Sequence, residues 1–107
     1  MRRRKKIAVG ETESEFKSEV IHVASTIGWD CYSVPDSRRA TSSGFLDLFL
    51  AHHAAGRVLI RELKVGRNKT TAEQDRWIET LTRAGYDAGV WRETDWERIY
   101  RELGDLA

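Results

Sequence analysis

Three residues in the middle of the chain have types and spacing suited to chemistry. They are Asp47, in Gly44-Phe45-Leu46-Asp47, and the pair Glu62 and Lys64, which flank Leu63. All three sit in otherwise apolar runs of strand-like composition. Buried charge is costly unless it is paired or holds a metal. Two carboxylates converging on one spot repel each other, and a divalent cation resolves the repulsion. Hard oxygen ligands favour Mg²⁺ or Mn²⁺. Such an ion polarises a phosphodiester and acidifies water. Lys64, on the same face of a strand as Glu62, can orient the attacking water, take up its proton or stabilise charge building on phosphorus. The Leu63 carbonyl lies between them and offers one more oxygen. Each residue also has a plainer role open to it. Glu62 and Lys64 can form a solvated ion pair, and Asp47 can end a strand or cap a turn.

The elements that must position these residues follow from periodicity. Phe16, Val20, Val23, Ala24 and Ile27 recur at helical offsets, so 12–27 is expected to be an amphipathic helix. Thr12 is its N-cap, Glu15 completes a capping box and Gly28 ends it. Strands are expected at 29–34, 45–51 and 57–65. The last two join through the short link His52–Gly56 as an antiparallel hairpin, with both histidines assigned to the turn. Alternation puts Leu46, Leu48 and Leu50 on one face and Asp47 on the other. Arg57, Leu59, Arg61 and Leu63 alternate with Val58, Ile60, Glu62 and Lys64. A second helix is expected at 71–83, capped by Thr71 and packed through Trp77, Ile78 and Leu81. A fourth strand at 86–91 makes a βαβ unit with the third, whose crossover is expected to be right-handed. Thr94 then caps a last helix with Trp96, Ile99, Tyr100 and Leu103 on its buried stripe. The order α-β-β-β-α-β-α predicts a small mixed sheet flanked by helices.

At 107 residues the chain is the length of one domain, and its 40% hydrophobic content suffices for one modest core. The expected division is a basic arm at 1–10 and a single domain at 11–107. No apolar run of about 18 residues suggests a membrane span, and no apolar segment follows the basic start as a signal peptide would require. Cys31 is the only cysteine and is read as a small hydrophobe in a reducing, cytoplasmic setting, the host cytoplasm if the protein is viral. Net charge is +1 overall but uneven. Residues 1–6 carry +5, 7–37 carry −5, 38–70 carry +5 and 71–107 carry −4. The basic 38–70 segment also holds Asp47 and Glu62, which suits a polyanion such as nucleic acid.

Taken together, a helix Glu, a Gly-x-x-Asp leading into a strand, a Glu-x-Lys ending its partner and a Gln-bearing helix resemble the PD-(D/E)xK nuclease superfamily. The closer resemblance is to its virus-type replication–repair nuclease (VRR-NUC) branch, over about residues 11–103. It rests on Glu15, Gly44-Phe45-Leu46-Asp47, Glu62-Leu63-Lys64 and Thr71-Ala72-Glu73-Gln74-Asp75-Arg76-Trp77. The family's Gly-x-Pro-Asp has Leu46 in place of proline here. That changes the approach to the strand and removes no ligand.

The resemblance implies a restriction-endonuclease-like α/β fold with an added C-terminal helix. It implies a magnesium- or manganese-dependent DNA endonuclease acting as a homodimer on branched DNA such as Holliday junctions, in DNA repair or a phage-like setting, with no small-molecule cofactor. By the same resemblance Glu15, Asp47, Glu62 and the Leu63 carbonyl hold the metal. Lys64 is the catalytic lysine, and Gln74 orients it or a water. Read alone, Gln74 is an ordinary helix-surface residue. Arg38, Arg39, Thr41, Ser42 and Ser43 before the site, and Arg67 and Lys69 after it, are candidate phosphate binders. Trp29 and Trp91 are candidates for an interface. A nucleic-acid-binding module without catalysis would fit the basic segments but gains nothing from carboxylates facing phosphates. A purely scaffolding subunit leaves the buried charges unexplained.

Overall fold

The computed structural model describes residues 12–35 and 41–104. The 1–10 arm, Arg38 and Arg39 lie outside these. The element order is α1 (Glu13–Thr26), β1 (Trp29–Ser33), β2 (Leu48–His52), β3 (Arg57–Lys64), α2 (Ala72–Arg83), β4 (Asp87–Arg92) and α3 (Trp96–Gly104). The four strands form one sheet in the order β1-β2-β3-β4. β1 and β3 run antiparallel to β2, and β4 runs parallel to β3, so the sheet is mixed as the sequence predicts.

The local signals explain most boundaries. Thr12 caps α1 with both arms of its capping box made, and Thr71 caps α2 the same way through Gln74. Gly28 follows α1 at φ 98°, a conformation open to glycine. Its lack of a side chain also admits His52, whose Nε2 would lie 2.8 Å from any added Cβ. His52 does more than make a turn. Its Nδ1 accepts from the Ala55 N–H, which leaves Nε2 to donate to the Ile27 carbonyl and tie the hairpin to the end of α1.

One sheet face is closed by α1 and α3. Phe16, Val20 and Ala24 from α1 meet Trp96, Ile99 and Leu103 from α3 over Trp29, Leu48, Leu50, Leu59, Leu63 and Trp91. Burying each such large side chain contributes about 1.5–3 kcal/mol. Cys31 packs against this core, and burial raises its thiol pKa, in keeping with its reading as a hydrophobe. α2 contacts β4 and reaches the other face, and none of its residues is fully buried.

Several expectations are corrected. Trp29 and Trp91, considered for an interface, are core residues whose indole N–H groups donate to the Leu103 carbonyl and to Glu102. Ile27 and Tyr100, assigned to buried stripes, are exposed because each lies past the edge of its helix's core contact. α3 starts after Asp95 rather than Thr94, since the Asp95 carboxylate accepts from Arg92 N–H and closes the turn before the helix. β2 starts at Leu48 rather than Phe45, so Asp47 precedes the strand.

Candidate functional site

β3 outlasts its antiparallel partner. The β2 ladder ends at Leu48 opposite Arg61, while β3 continues alongside β4 to Lys64. The last turns of β3 therefore have a free edge just where Asp47 lies. Asp47 fills that edge with its side chain, since one carboxylate oxygen accepts the Leu63 N–H at 3.0 Å. Its own carbonyl accepts from Val34 N–H at 2.8 Å, which fixes the backbone. The N–H and C=O of a strand residue point to the same edge. The Leu63 carbonyl thus faces the Asp47 side. A cavity of about 130 Å³ opens here, lined by Glu13, Ser14, Lys17, Asp47 and Leu63.

Glu62 and Lys64 share the face expected from alternation. Glu62 is only 2% exposed, and Lys64 is also buried. The Lys64 ammonium lies 3.3 Å from Glu62 Oε2, and Gln74 Nε2 donates to the same oxygen at 3.0 Å. Gln74 Oε1 meanwhile accepts from Thr71 N–H, so the capping box of α2 holds the amide in place. Glu62 Oε1 is buried and finds no hydrogen-bond donor among the described residues. Burial first, then the nearby Asp47 charge, push the Glu62 carboxyl up to about 7, against the opposing pull of Lys64. A buried carboxylate with an unused oxygen, raised by a second carboxylate, is the pattern that a cation would relieve.

Asp47, Glu62, Lys64 and Gln74, singled out in the sequence, thus meet at one place. Glu15 is placed differently. It is exposed, and its carboxylate accepts the Thr12 N–H at 3.0 Å. Glu13 rather than Glu15 lines the cavity beside Asp47. Among the described residues no three His, Cys, Asp or Glu side chains cluster as a metal cage. The donors present are two carboxylates and one carbonyl. That set fits Mg²⁺, which commonly binds one or two carboxylates and completes its shell with water and phosphate oxygens.

Gly44 explains how the preceding loop reaches the site. Its φ is 86°, and an added Cβ would come within 2.5 Å of Glu73 Cβ. Thr41, Ser42 and Ser43 are exposed on this loop. On the other flank Arg67 and Lys69 are exposed after β3. That turn is held by a residue the sequence did not single out: buried Glu93, at the end of β4, accepts the Gly66 N–H at 2.8 Å. Glu13 was missed as well. A helix period does place 13, 14 and 17 on one face, but which face meets Asp47 depends on the packing angle of α1.

Among the described residues the architecture is a restriction-endonuclease-like α/β core, three helices on a four-stranded mixed sheet, with α3 as the C-terminal addition. A scan of the sequence against family models finds no match. Comparison with curated proteins finds none either. The fold does have a solved counterpart, a "VRR_NUC domain protein", at a TM-score of 0.70 and 22% identity, covering 92% of this chain and 93% of that one. The fold implied by the VRR-NUC resemblance is therefore the fold found.

Proposed function

We propose that this chain is a divalent-metal-dependent endodeoxyribonuclease that hydrolyses phosphodiester bonds in branched DNA such as four-way junctions. The observation that carries this reading is the convergence of Asp47 and buried Glu62 at the edge of β3 that β2 leaves open, with one Glu62 oxygen without a partner among the described residues. The shared fold with a VRR_NUC domain protein supports it. Residues 11–107 act as one nuclease domain, with the 1–10 arm and the basic 38–70 segment meeting phosphates. The setting is the cytoplasm, that of the host if the protein is viral. No helix among the described residues is long and apolar enough to cross a membrane.

In this mechanism Asp47, Glu62 and the Leu63 carbonyl hold Mg²⁺ or Mn²⁺. The ion, when bound, supplies positive charge that polarises the phosphodiester and acidifies water. Asp47 keeps its orientation through the Leu63 N–H. Gln74 holds Glu62 through Oε2 and leaves Oε1 without a donor among the described residues. The Lys64 ammonium lies beside Glu62, and its role in this reading is to stabilise charge on the phosphate oxygens. Glu13, on the cavity wall, takes the place the resemblance assigned to Glu15 as the acidic residue contributed by α1. Arg67 and Lys69, with Arg38 and Arg39, bind backbone phosphates.

A homodimer places two such sites against two strands, as paired incision of a junction requires. Tyr32 and Phe49 are register partners on the same sheet face as Glu62 and are 59% and 37% exposed, which supports that face as the dimer contact. The test is incubation of purified protein with labelled linear, flap, splayed and four-way-junction DNA in Mg²⁺, Mn²⁺ or EDTA. Cutting of branched substrates only with metal is expected. Cutting that persists in EDTA would overturn the metal mechanism, and a monomer by light scattering would remove the dimer.

A further inference from the structure

On α2, Glu73, Arg76, Trp77 and Thr80 recur at helical offsets and present one face. The loop 41–43 runs opposite. Between them lies a cavity of about 490 Å³, within the size range of small-ligand sites. Its walls are fixed to each other. Trp77 Nε1 donates to the Ser43 carbonyl at 3.0 Å, and the Trp77 ring meets Phe45 edge to face at 4.9 Å. Gly44 lets the loop backbone close onto Glu73 and Gln74. The cavity also adjoins the proposed catalytic centre along both walls. Ser43 leads through Gly44 to Asp47, and Glu73 precedes Gln74, which holds Glu62.

The lining says what kind of ligand fits. Among the described residues it offers one indole surface, one guanidinium, one carboxylate and four hydroxyls, from Thr41, Ser42, Ser43 and Thr80. Among the described lining residues the charges of Arg76 and Glu73 cancel, which does not suit a phosphate taken alone. A purely apolar ligand would leave the hydroxyls and charges unmatched. A nucleobase has a π-face for the indole and an edge of mixed donors and acceptors for the carboxylate, guanidinium and hydroxyls. A base inside a duplex cannot present both.

We propose that the cavity between the 41–43 loop and α2 is a subsite for an unpaired nucleobase beside the cutting position. This deepens the nuclease reading, on which it rests, by making unpaired DNA next to the scissile phosphate the recognised feature. It also reassigns Thr41, Ser42 and Ser43 from phosphate contacts to base contacts.

The test is binding in EDTA, so that no cleavage is needed. The full chain is titrated against a labelled splayed duplex and a blunt duplex of the same paired sequence at fixed salt. Wild type should prefer the splayed DNA by about tenfold, the scale of one base stacked on an aromatic side chain. Thr80→Tyr fills the cavity from an exposed helix position, and Arg76→Ala removes its guanidinium. Both variants should lose most of the preference and keep blunt-duplex affinity, with unchanged thermal midpoints showing that they fold. No preference in wild type, or a full preference in both variants, overturns the subsite. The nuclease reading fails separately, on whether Glu62→Ala still cuts.

Discussion

Arg61 and Glu62 are neighbours in sequence, both buried, and face opposite sides of β3. Their surroundings differ in kind. On the core side, Arg61 donates to the Ile60 and Asp87 carbonyls, pairs with Asp87 and Glu102, and lies 5.0 Å from the centre of the Trp91 ring. Arg98 and the Trp91 N–H add to Glu102, so the two signs are balanced and Glu102 titrates below its ordinary range despite its burial. On the other side, Glu62 faces a second carboxylate, has one ammonium and one amide on a single oxygen, and titrates upward. Arg61, bound to opposite charge on two elements, ties β3, β4 and α3 together, although its Nε is buried without a partner among the described residues. Glu62 instead meets a like charge from Asp47, which a bound cation would offset.

The two buried charges should differ most in what their loss does to activity. Asp47→Ala and Glu62→Ala should each lower cleavage of branched DNA by about a thousandfold or more while the protein stays folded. Lys64→Ala should fall nearly as far, and normal cutting by that variant would remove its assigned role. Arg61→Ala should do the reverse, with loss of stability of about 3 kcal/mol by denaturant unfolding. That figure sits at the low end for a broken buried pair because Asp87 is half open to solvent. If Arg61→Ala is as stable as wild type, the core network is not a structural tie.

Gln74→Ala should cost about 10- to 100-fold in activity, since it releases Glu62 without removing a ligand. A pH titration sharpens the contrast further. The folded pKa of Glu62 lies above its ordinary 4.5, at about 7. The stability it contributes is therefore full below about 4.5 and is lost as pH rises through about 7. In metal-free buffer the thermal midpoint should fall over that window, and Glu62→Gln should flatten the fall. A midpoint as pH-dependent in Glu62→Gln as in wild type would assign the titration elsewhere. The smallest effects belong to the loops. Arg67→Ala and Lys69→Ala should each reduce the salt slope of DNA binding by about one, and an unchanged slope would remove them from the phosphate contacts.

Much of this was legible because strand alternation and helix caps are local. The pairing of Glu62 with Lys64, the capping box at Thr12, the N-cap at Thr71 and the antiparallel hairpin follow from spacings of two to four residues and a short turn. What was illegible depends on where elements meet. Glu13 rather than Glu15 lines the cavity beside Asp47, while Glu15 turns back to cap its own helix. Glu93 looks like a surface acid after a strand, and only the parallel register of β3 and β4 brings it to Gly66. Trp29 and Trp91 carried no signal to separate core from interface until α1 and α3 were seen to close over them. His52 likewise needed the end of α1 in place before its role showed.

In the proposed mechanism Asp47 and Glu62 together hold a divalent ion. Calorimetric titration of Mn²⁺ into the protein at about pH 8, where Glu62 is ionised, tests it most directly. Wild type should show a saturable site that is lost in both Asp47→Ala and Glu62→Gln and weakens as pH falls below about 7. Binding of equal strength in wild type and both variants would contradict it.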